Sequence, residues 1–508
     1  MAWPVVDVDQ LNQLQGETKE IERVMLFIGS LKATGGAATA AILTGGALAT
    51  ADKAIAKFTA VSDGALKLTI NGTEKSITGV DLSAVTTLAQ VATVLQAKLS
   101  SLVTVSWDDT ASHFVVTTLT TGAAATITVA AAASPGTDIG PLLKLTNAAG
   151  ATVTPGTAGA TVPNANKVIP VNTQTDFDQL LGAGDSVFKT DLQAAMRNAG
   201  DNWFGYVWIL NEDEPAVTFA SAAEAAMAVC SVEGVLVSDD IASEADILRA
   251  SSLIADINAK WQRWVHVYLS VQGIVPSTES WADYLSRVTA YQQGVAESSV
   301  TLVPRLFGAE PGVYVGRLCN RAVTIADSPS RVKTGPVVGL NVTGKLPVDK
   351  DGVELGLATL QALNKARFSV PMWYPDYDGY YWADGVTLDV EGGDFQAIEN
   401  KRVIDKVCRR VRLLAIPKIS DRALNSTPTS IATHQQYFAA PMREMSKTVR
   451  IQGVTFPGEC MPPQDGDVQI LWRTKTQVEI YIIVRTYDCP KGIKASVMLD
   501  LSLQGGNA

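Results

Sequence analysis

This chain has little of what chemistry at a site requires. Across 508 residues there are three histidines and five cysteines. The cysteines (Cys230, Cys319, Cys408, Cys460, Cys489) form no C-x-x-C pair. Neither a zinc knuckle nor a disulfide framework is therefore expected, and the spacing fits a reducing compartment. Charge is sparse at 18%, and 51 acids outnumber 41 bases for a net charge of -10. A general nucleic-acid binder is more often basic, so a polyanion partner is disfavoured. No apolar run reaches the roughly 18 residues of a membrane span. The opening MAWPVVDVDQ has acids where a signal peptide needs bases and then an apolar core. The expectation is a soluble chain, made in the cytoplasm, that takes no cofactor.

Familiar site motifs are incomplete. Gly339 to Lys345 satisfies G-x-x-x-x-G-K, but Leu346 stands where a magnesium-holding hydroxyl is required, and Pro347 hinders the helix that should follow. The paired carboxylates Asp349/Asp351 and Asp376/Asp378 lack the further acids of a calcium loop, and Asp-rich turns account for them. His266, in VHVYLS, reads as a satisfied sheet-face histidine, and His113 sits at a hairpin foot. His434 lies near Ser426 and Ser430, so a Ser–His pair is an alternative there, although no G-x-S-x-G elbow accompanies it.

What is present is apolar substance, 47% of residues, enough for three or four domains at roughly 150 residues each. Residues 1–32 read as an arm followed by a buried strand, IERVMLFIG. Residues 33–165 are rich in Ala, Thr and Gly and enclose a ββαββ module. Its first hairpin turns at Asn71-Gly72, its helix runs from about Leu88 to Leu99, and two strands follow at 103–107 and 114–119. The stretches TGGAATAAILTGGALAT and TPGTAGATVPNANK read as flexible or loosely packed linkers on either side.

Residues 166–340 alternate strands (203–210, 234–238, 265–271, 300–306) with helices (222–229, 244–260, 280–293). Repeated βα units imply a largely parallel sheet. Ser243 and Asp246 resemble a capping box at the second helix. Residues 341–394 are turn-rich and aromatic. Residues 395–508 hold a long helix, about Phe395 to Leu414, and then strands. The fold class is α/β multidomain with a β-rich insert.

In the long helix, Lys401, Arg402, Lys406, Arg409, Arg410 and Arg412 place six bases within twelve residues, with Asp405 as the one acid. Three readings are open: a solvated face, a docking helix for an acidic protein surface, and nucleic acid. No aromatic platform accompanies the bases to favour the last.

Both termini look like strands without partners in the chain. Trp3, Val6 and Val8 interleave with Asp7 and Asp9. QVEIYIIVRTY spans 477–487, and in KASVMLDLSL (494–503) Ala495, Val497, Leu499, Leu501 and Leu503 alternate with polar residues. Such ends suit strand addition between copies.

The order of IERVMLFIG, PGVYVGRLCNRAVTIADSPSRVKTGPVVGL, RFSVPMWYPDYDGYYWADGVTLD and ENKRVIDKVCRRVRLLAIPKISDRALNSTPTSIA, followed by a strand-rich ending, resembles the sheath protein of contractile phage tails. The likeness covers about 1–32 and 165–508. The insert resembles a module of flagellar hook-associated and phage structural proteins. The resemblance implies a non-enzymatic virion subunit, assembled in the host cytoplasm into hexameric rings and a helical polymer. Its partners would be other copies, the tail tube, and baseplate and tail terminator proteins, with no nucleic acid or membrane. It also implies a discontinuous core from the chain's beginning and end. Trp3, Val6, Val8, Ala495, Val497, Leu499, Leu501 and Leu503 would be inter-subunit linkers. The helix Lys401–Arg412 would lie near the tube, and the insert would project outward. Another tail component (tube, fibre or baseplate) is the alternative, and a nucleotide-binding or hydrolytic α/β enzyme a more distant one.

Overall fold

A computed structural model describes residues 21–32, 38–99, 102–157, 162–212 and 216–499. The chain forms two compact units, residues 1–32 with 163–508 and residues 33–162.

The larger unit is organised by a six-stranded sheet. Its strands are β1 (Met25–Leu31), β2 (Val168–Asn172), β3 (Phe204–Asn211), β4 (Gly234–Ile241), β5 (His266–Val271) and β6 (Val300–Pro304), in the spatial order β6-β5-β4-β1-β3-β2. All neighbours are parallel except the antiparallel edge strand β2. Counted along the chain, the parallel strands lie 5-4-3-1-2, a doubly wound order. β1 starts at Met25 because Ile21–Val24 turns, with Arg23 at φ 71°.

Both faces of β1 are covered, which is why it reads as an unbroken apolar run. Leu26 and Ile28 pack in one core with α2 (Phe219–Val229), α3 (Glu244–Trp261) and α4 (Trp281–Gln292). On the other face lie α1 (Val187–Ala199) and α5 (Glu310–Cys319). There a Cβ on Gly29 would overlap the Phe188 ring. Cβ atoms on Gly312 and Gly316 of α5 would overlap the α1 backbone at Asp191 and Ala195. These glycines set how closely the two helices approach.

The N-terminal strand is thus the middle of the βα sheet. α3 is not capped by Ser243, which makes no cap hydrogen bond; Asp246 instead accepts from Ala242 N at 3.1 Å. α4 carries a reciprocal box between Ser280 and Asp283.

Beyond β6, an antiparallel hairpin forms from β7 (Pro371–Tyr374) and β8 (Tyr377–Trp382). The long helix α6 spans Ile398–Ala415. Its Val403 and Val407 share a core with Phe438, Met442 and Ile470. β9 (Val468–Thr474) and β10 (Gln477–Ile482) form a second hairpin. The segment from Gln477 therefore does have a partner within the chain. β10 ends at Ile482, and residues 483–499 form no strand.

In the smaller unit, the expected hairpin (Gly64–Ile70 with Thr73–Val80), helix (Leu88–Leu99) and strand pair (Val103–Asp108 with His113–Thr121) are present. Part of the first flanking stretch, expected as a linker, is a strand. Ala40–Thr44 pairs with both His113–Thr121 and Thr152–Thr154, burying Ala41 and Leu43. Two large apolar residues, Ile42 and Leu43, set among Gly, Ala and Thr give little strand signal, so the stretch looks like low complexity.

Candidate assembly interface

The six bases of α6 are mostly occupied inside the fold. Arg402 is buried and donates to Glu233 from Nε at 2.7 Å and Nη2 at 3.0 Å, with Nη2 also reaching the Leu318 carbonyl at 3.1 Å. Glu233 stands just before β4 and also accepts from the Arg23 amide. Burial alone would raise its carboxyl. The charge and hydrogen bonds of Arg402, then the Arg409 charge and the Arg23 amide, outweigh that and hold it down at about 2.

Lys401 pairs with Asp405 within the helix, Lys406 reaches Glu459 at 2.6 Å, and Arg409 reaches Glu22 at 3.0 Å. This corrects the reading of a docking helix presenting six bases. The helix clasps the amino end of the sheet, and a run of bases this dense is legible as a clasp only once Glu22, Glu233 and Glu459 are seen around it. What remains toward solvent is Arg410, loosely paired with exposed Glu444 at 3.4 Å, and half-buried Arg412.

At the opposite, carboxyl end of the sheet, Arg305 donates to Asp191 (2.6 and 2.9 Å), Asp240 (2.7 Å) and the Ser238 carbonyl (2.5 Å). Ligands of doubly wound enzymes enter at this end; here a guanidinium ties α1, β4 and β6 together. Beside it, Glu310 opens α5 fully buried, accepting from the Phe307 and Gly308 amides. Burial dominates and pushes its carboxyl up to about 7.

The motifs of uncertain chemistry resolve into structure. Ser430 Oγ donates to the Ala423 carbonyl at 2.7 Å and accepts from Asn425 N, while His434, one turn on, bonds the Ser430 carbonyl at 2.9 Å. His266 is buried with Nε2 at 2.9 Å from Thr301 Oγ1, and burial drives its pKa well down. After Gly344-Lys345 the chain turns, and the next helix starts at Leu357. Asp349 accepts from the amides of Asp351 and Val353 as a turn former. Among the described residues no group of three or more His, Cys, Asp or Glu could hold a metal, and no helix is long and apolar enough to cross a membrane.

The C-terminal segment is anchored first at Arg485, which pairs with Asp467 and whose carbonyl accepts from Met461 N at 2.7 Å, and last at Lys491. Lys491 pairs with Asp384 and with buried Glu399, the latter at 2.8 Å, and these carboxylates outweigh burial to raise its pKa. Past that clamp Ile493, Val497, Met498 and Leu499 are 85%, 96%, 90% and 80% exposed. Ala495, Val497 and Leu499 form no strand, because a strand needs a ladder partner and none is alongside among the described residues. Leu501 and Leu503, like Trp3, Val6 and Val8, lie outside the described residues.

Two outcomes follow from the buried charges. Arg402→Met should cost about 3–5 kcal/mol in chemical denaturation by stranding Glu233, and adding Glu233→Gln should recover part of the loss; strictly additive costs would contradict the clasp. For Glu310 the folded pKa of about 7 lies above the ordinary 4.5, so its contribution is complete below pH 4.5 and lost as pH rises through 7. Between pH 5 and 8 the stability gap of Glu310→Gln against wild type should move in the variant's favour, by up to roughly 3 kcal/mol. A gap that does not change with pH would refute the assignment.

Comparison with known proteins agrees with a structural role. A family model described as DUF2586, N-terminal domain, matches residues 145–386, and one described as DUF2586, C-terminal domain, matches residues 394–502. The insert domain of the E217 tail sheath protein gp31 matches residues 38–157. A protein of Haemophilus phage HP1 (strain HP1c1), provisionally named a tail sheath protein, is 49% identical over 351 residues, covering 68% of this chain and 93% of its own. The sheath tail protein Lin1278 from Listeria innocua aligns over 92% of this chain and 93% of its own, at 9% identity and a TM-score of 0.38, too distant to carry an argument. With 49% identity over an alignment that spans 93% of the HP1 protein, and a match to a sheath insert domain in its smaller unit, the chain belongs to the phage tail sheath protein family.

Proposed function

We propose that copies of this chain assemble as hexameric rings into a helical sheath around a tail tube, and that the sheath contracts to drive the tube through the host envelope. The observation that carries the reading is the apolar segment Ile493–Leu499, exposed immediately beyond the Lys491 clamp. A row of unpaired backbone beside bare Val, Met and Leu is a liability for a lone molecule and a joint for a polymer. In this reading Ala495, Val497, Leu499, Leu501 and Leu503 add to a sheet of an adjacent copy, with Trp3, Val6 and Val8 as the reciprocal arm.

The clasped body suits such a role. Buried ion pairs tie α6 and β1 into one sheet-centred unit, so that unit can turn as a body while the tail past Lys491 keeps copies linked. Contraction of this kind draws its energy from contacts between subunits and needs neither nucleotide nor metal. Tube, baseplate and tail terminator proteins would bound the polymer, in a virion assembled in the host cytoplasm.

Negative-stain microscopy of the purified full chain should show hollow tubes, and removing residues 494–508 should leave folded monomers with unchanged far-UV circular dichroism. Intact chain that stays monomeric across salt and concentration would refute the proposal, as would a truncated chain that still forms tubes.

A further inference from the structure

The two poles of the sheet carry complementary features. At the amino end, a cleft of about 110 Å³ is lined by Arg263, Arg409, Arg410 and Arg412 over an apolar floor that includes Trp264 and Leu413. Four guanidiniums face one carboxylate there, that of Glu22. Arg409 is engaged by Glu22 and by the Trp264 carbonyl at 3.4 Å, and Arg263 by the carbonyls of Met227 and Cys230. Arg410 is held only by exposed Glu444, and Arg412 has no ion pair among the described residues. The cleft's place follows from the strands: Ile21 and Glu22 precede β1, Ser231 precedes β4, and Arg263 and Trp264 precede β5.

At the carboxyl end stands the tip of the β7–β8 hairpin. Leu302 of β6 bridges Phe368 in parallel, so the chain beyond Pro371 runs past the end of β6. The tip, residues 374–379, is exposed throughout. Tyr374 and Tyr377 are 40% and 56% exposed and gather with Tyr381 at ring-centroid distances of 5.7–6.3 Å. Asp376 and Asp378 flank them, and neither carboxylate is in an ion pair among the described residues. At roughly 3.3 Å per residue, the five to eight residues of each parallel strand hold the two features on the order of 20 Å apart.

We infer that the Tyr374–Asp378 hairpin tip of one copy inserts into the Arg410/Arg412 cleft of the next copy, making a head-to-tail contact between subunits. Tip and cleft lie at opposite ends of one rigid sheet and cannot meet within a chain. Carboxylates meet guanidiniums, and exposed tyrosine faces offer Arg410 and Arg412 cation–π seats. A contact between two different patches of the same molecule does not close on itself as a two-fold dimer does; it propagates into a ring or a helix. The inference rests on the assembly reading and names one of its interfaces, separate from the terminal segments.

The test uses charge reversal in the full chain, with polymer read by sedimentation and microscopy. Asp376→Arg with Asp378→Arg, and separately Arg410→Glu with Arg412→Glu, should each weaken assembly about tenfold or more, and the chain carrying all four changes should assemble again. If wild type polymerises and neither pair of changes matters, or the fourfold variant is not rescued, the contact is wrong while the sheath reading stands. A wild type that never polymerises removes both. If the arginine reversals spare self-assembly and abolish only binding of the purified tube protein, the cleft belongs to the tube and the inference falls. Should a reversal lower the melting temperature of the monomer, Arg410→Gln with Arg412→Gln and Asp376→Asn with Asp378→Asn carry the same comparison.

Discussion

The buried pair of Arg402 and Glu233 is the contact on which the larger unit turns. Glu233 sits at the foot of β4, next to the central strand, and takes hydrogen bonds from Arg402 of α6 and from the amide of Arg23 just before β1. One carboxylate thus joins the chain's beginning, its middle and its last long helix. Neither charge could be left alone at that depth, so each requires the other. Lys406–Glu459 and Arg409–Glu22 extend the same clasp along the helix, and Arg305 closes the opposite end of the sheet in the same manner. Charge is scarce in this protein, and much of it serves to fix elements to one another.

That use of charge fits the family. The chain combines a body that buried ion pairs hold in shape with a terminal segment that does not pack into that body. The structure separates the two at Lys491: before it, the chain is packed and hydrogen-bonded; after it, Ile493 to Leu499 lie open. In the head-to-tail contact inferred above, the acidic, aromatic hairpin and the arginine-lined cleft would add a second kind of contact, on elements of the body rather than on a tail.

Much of the fold was legible in the residues. Strands β3 to β6 and helices α2 to α4 fall within a few residues of their expected positions, because long, strongly periodic segments between clear turns leave little ambiguity. α1 and α5 were not recognised. α5 is buried on every side and shows no polar face, and its glycines, which weaken a helical pattern, are required for contact with α1. The strand Ala40–Thr44 passed for linker because its Ile42 and Leu43 stand alone in a run of Gly, Ala and Thr. The bases of α6 were visible as a cluster, but their partners lie up to 387 residues away in sequence, as with Arg409 and Glu22. Only the folded chain shows that Lys401, Arg402, Lys406 and Arg409 are taken up by partners within the fold. The segment after Lys491 was conspicuous for the opposite reason: among the described residues, the period-two pattern of 494–499 sits in no ladder.

The central claim is that the tail beyond Lys491 finds its partner on another copy while the clasped body stays as it is. Amide hydrogen exchange on monomer and polymer, resolved by peptide, tests it most directly. The account predicts that amides of residues 494–499 exchange freely in the monomer and become strongly protected in the polymer, whereas those around Glu233 and Arg402 are protected equally in both. Tail amides that exchange as fast in the polymer as in the monomer would contradict it.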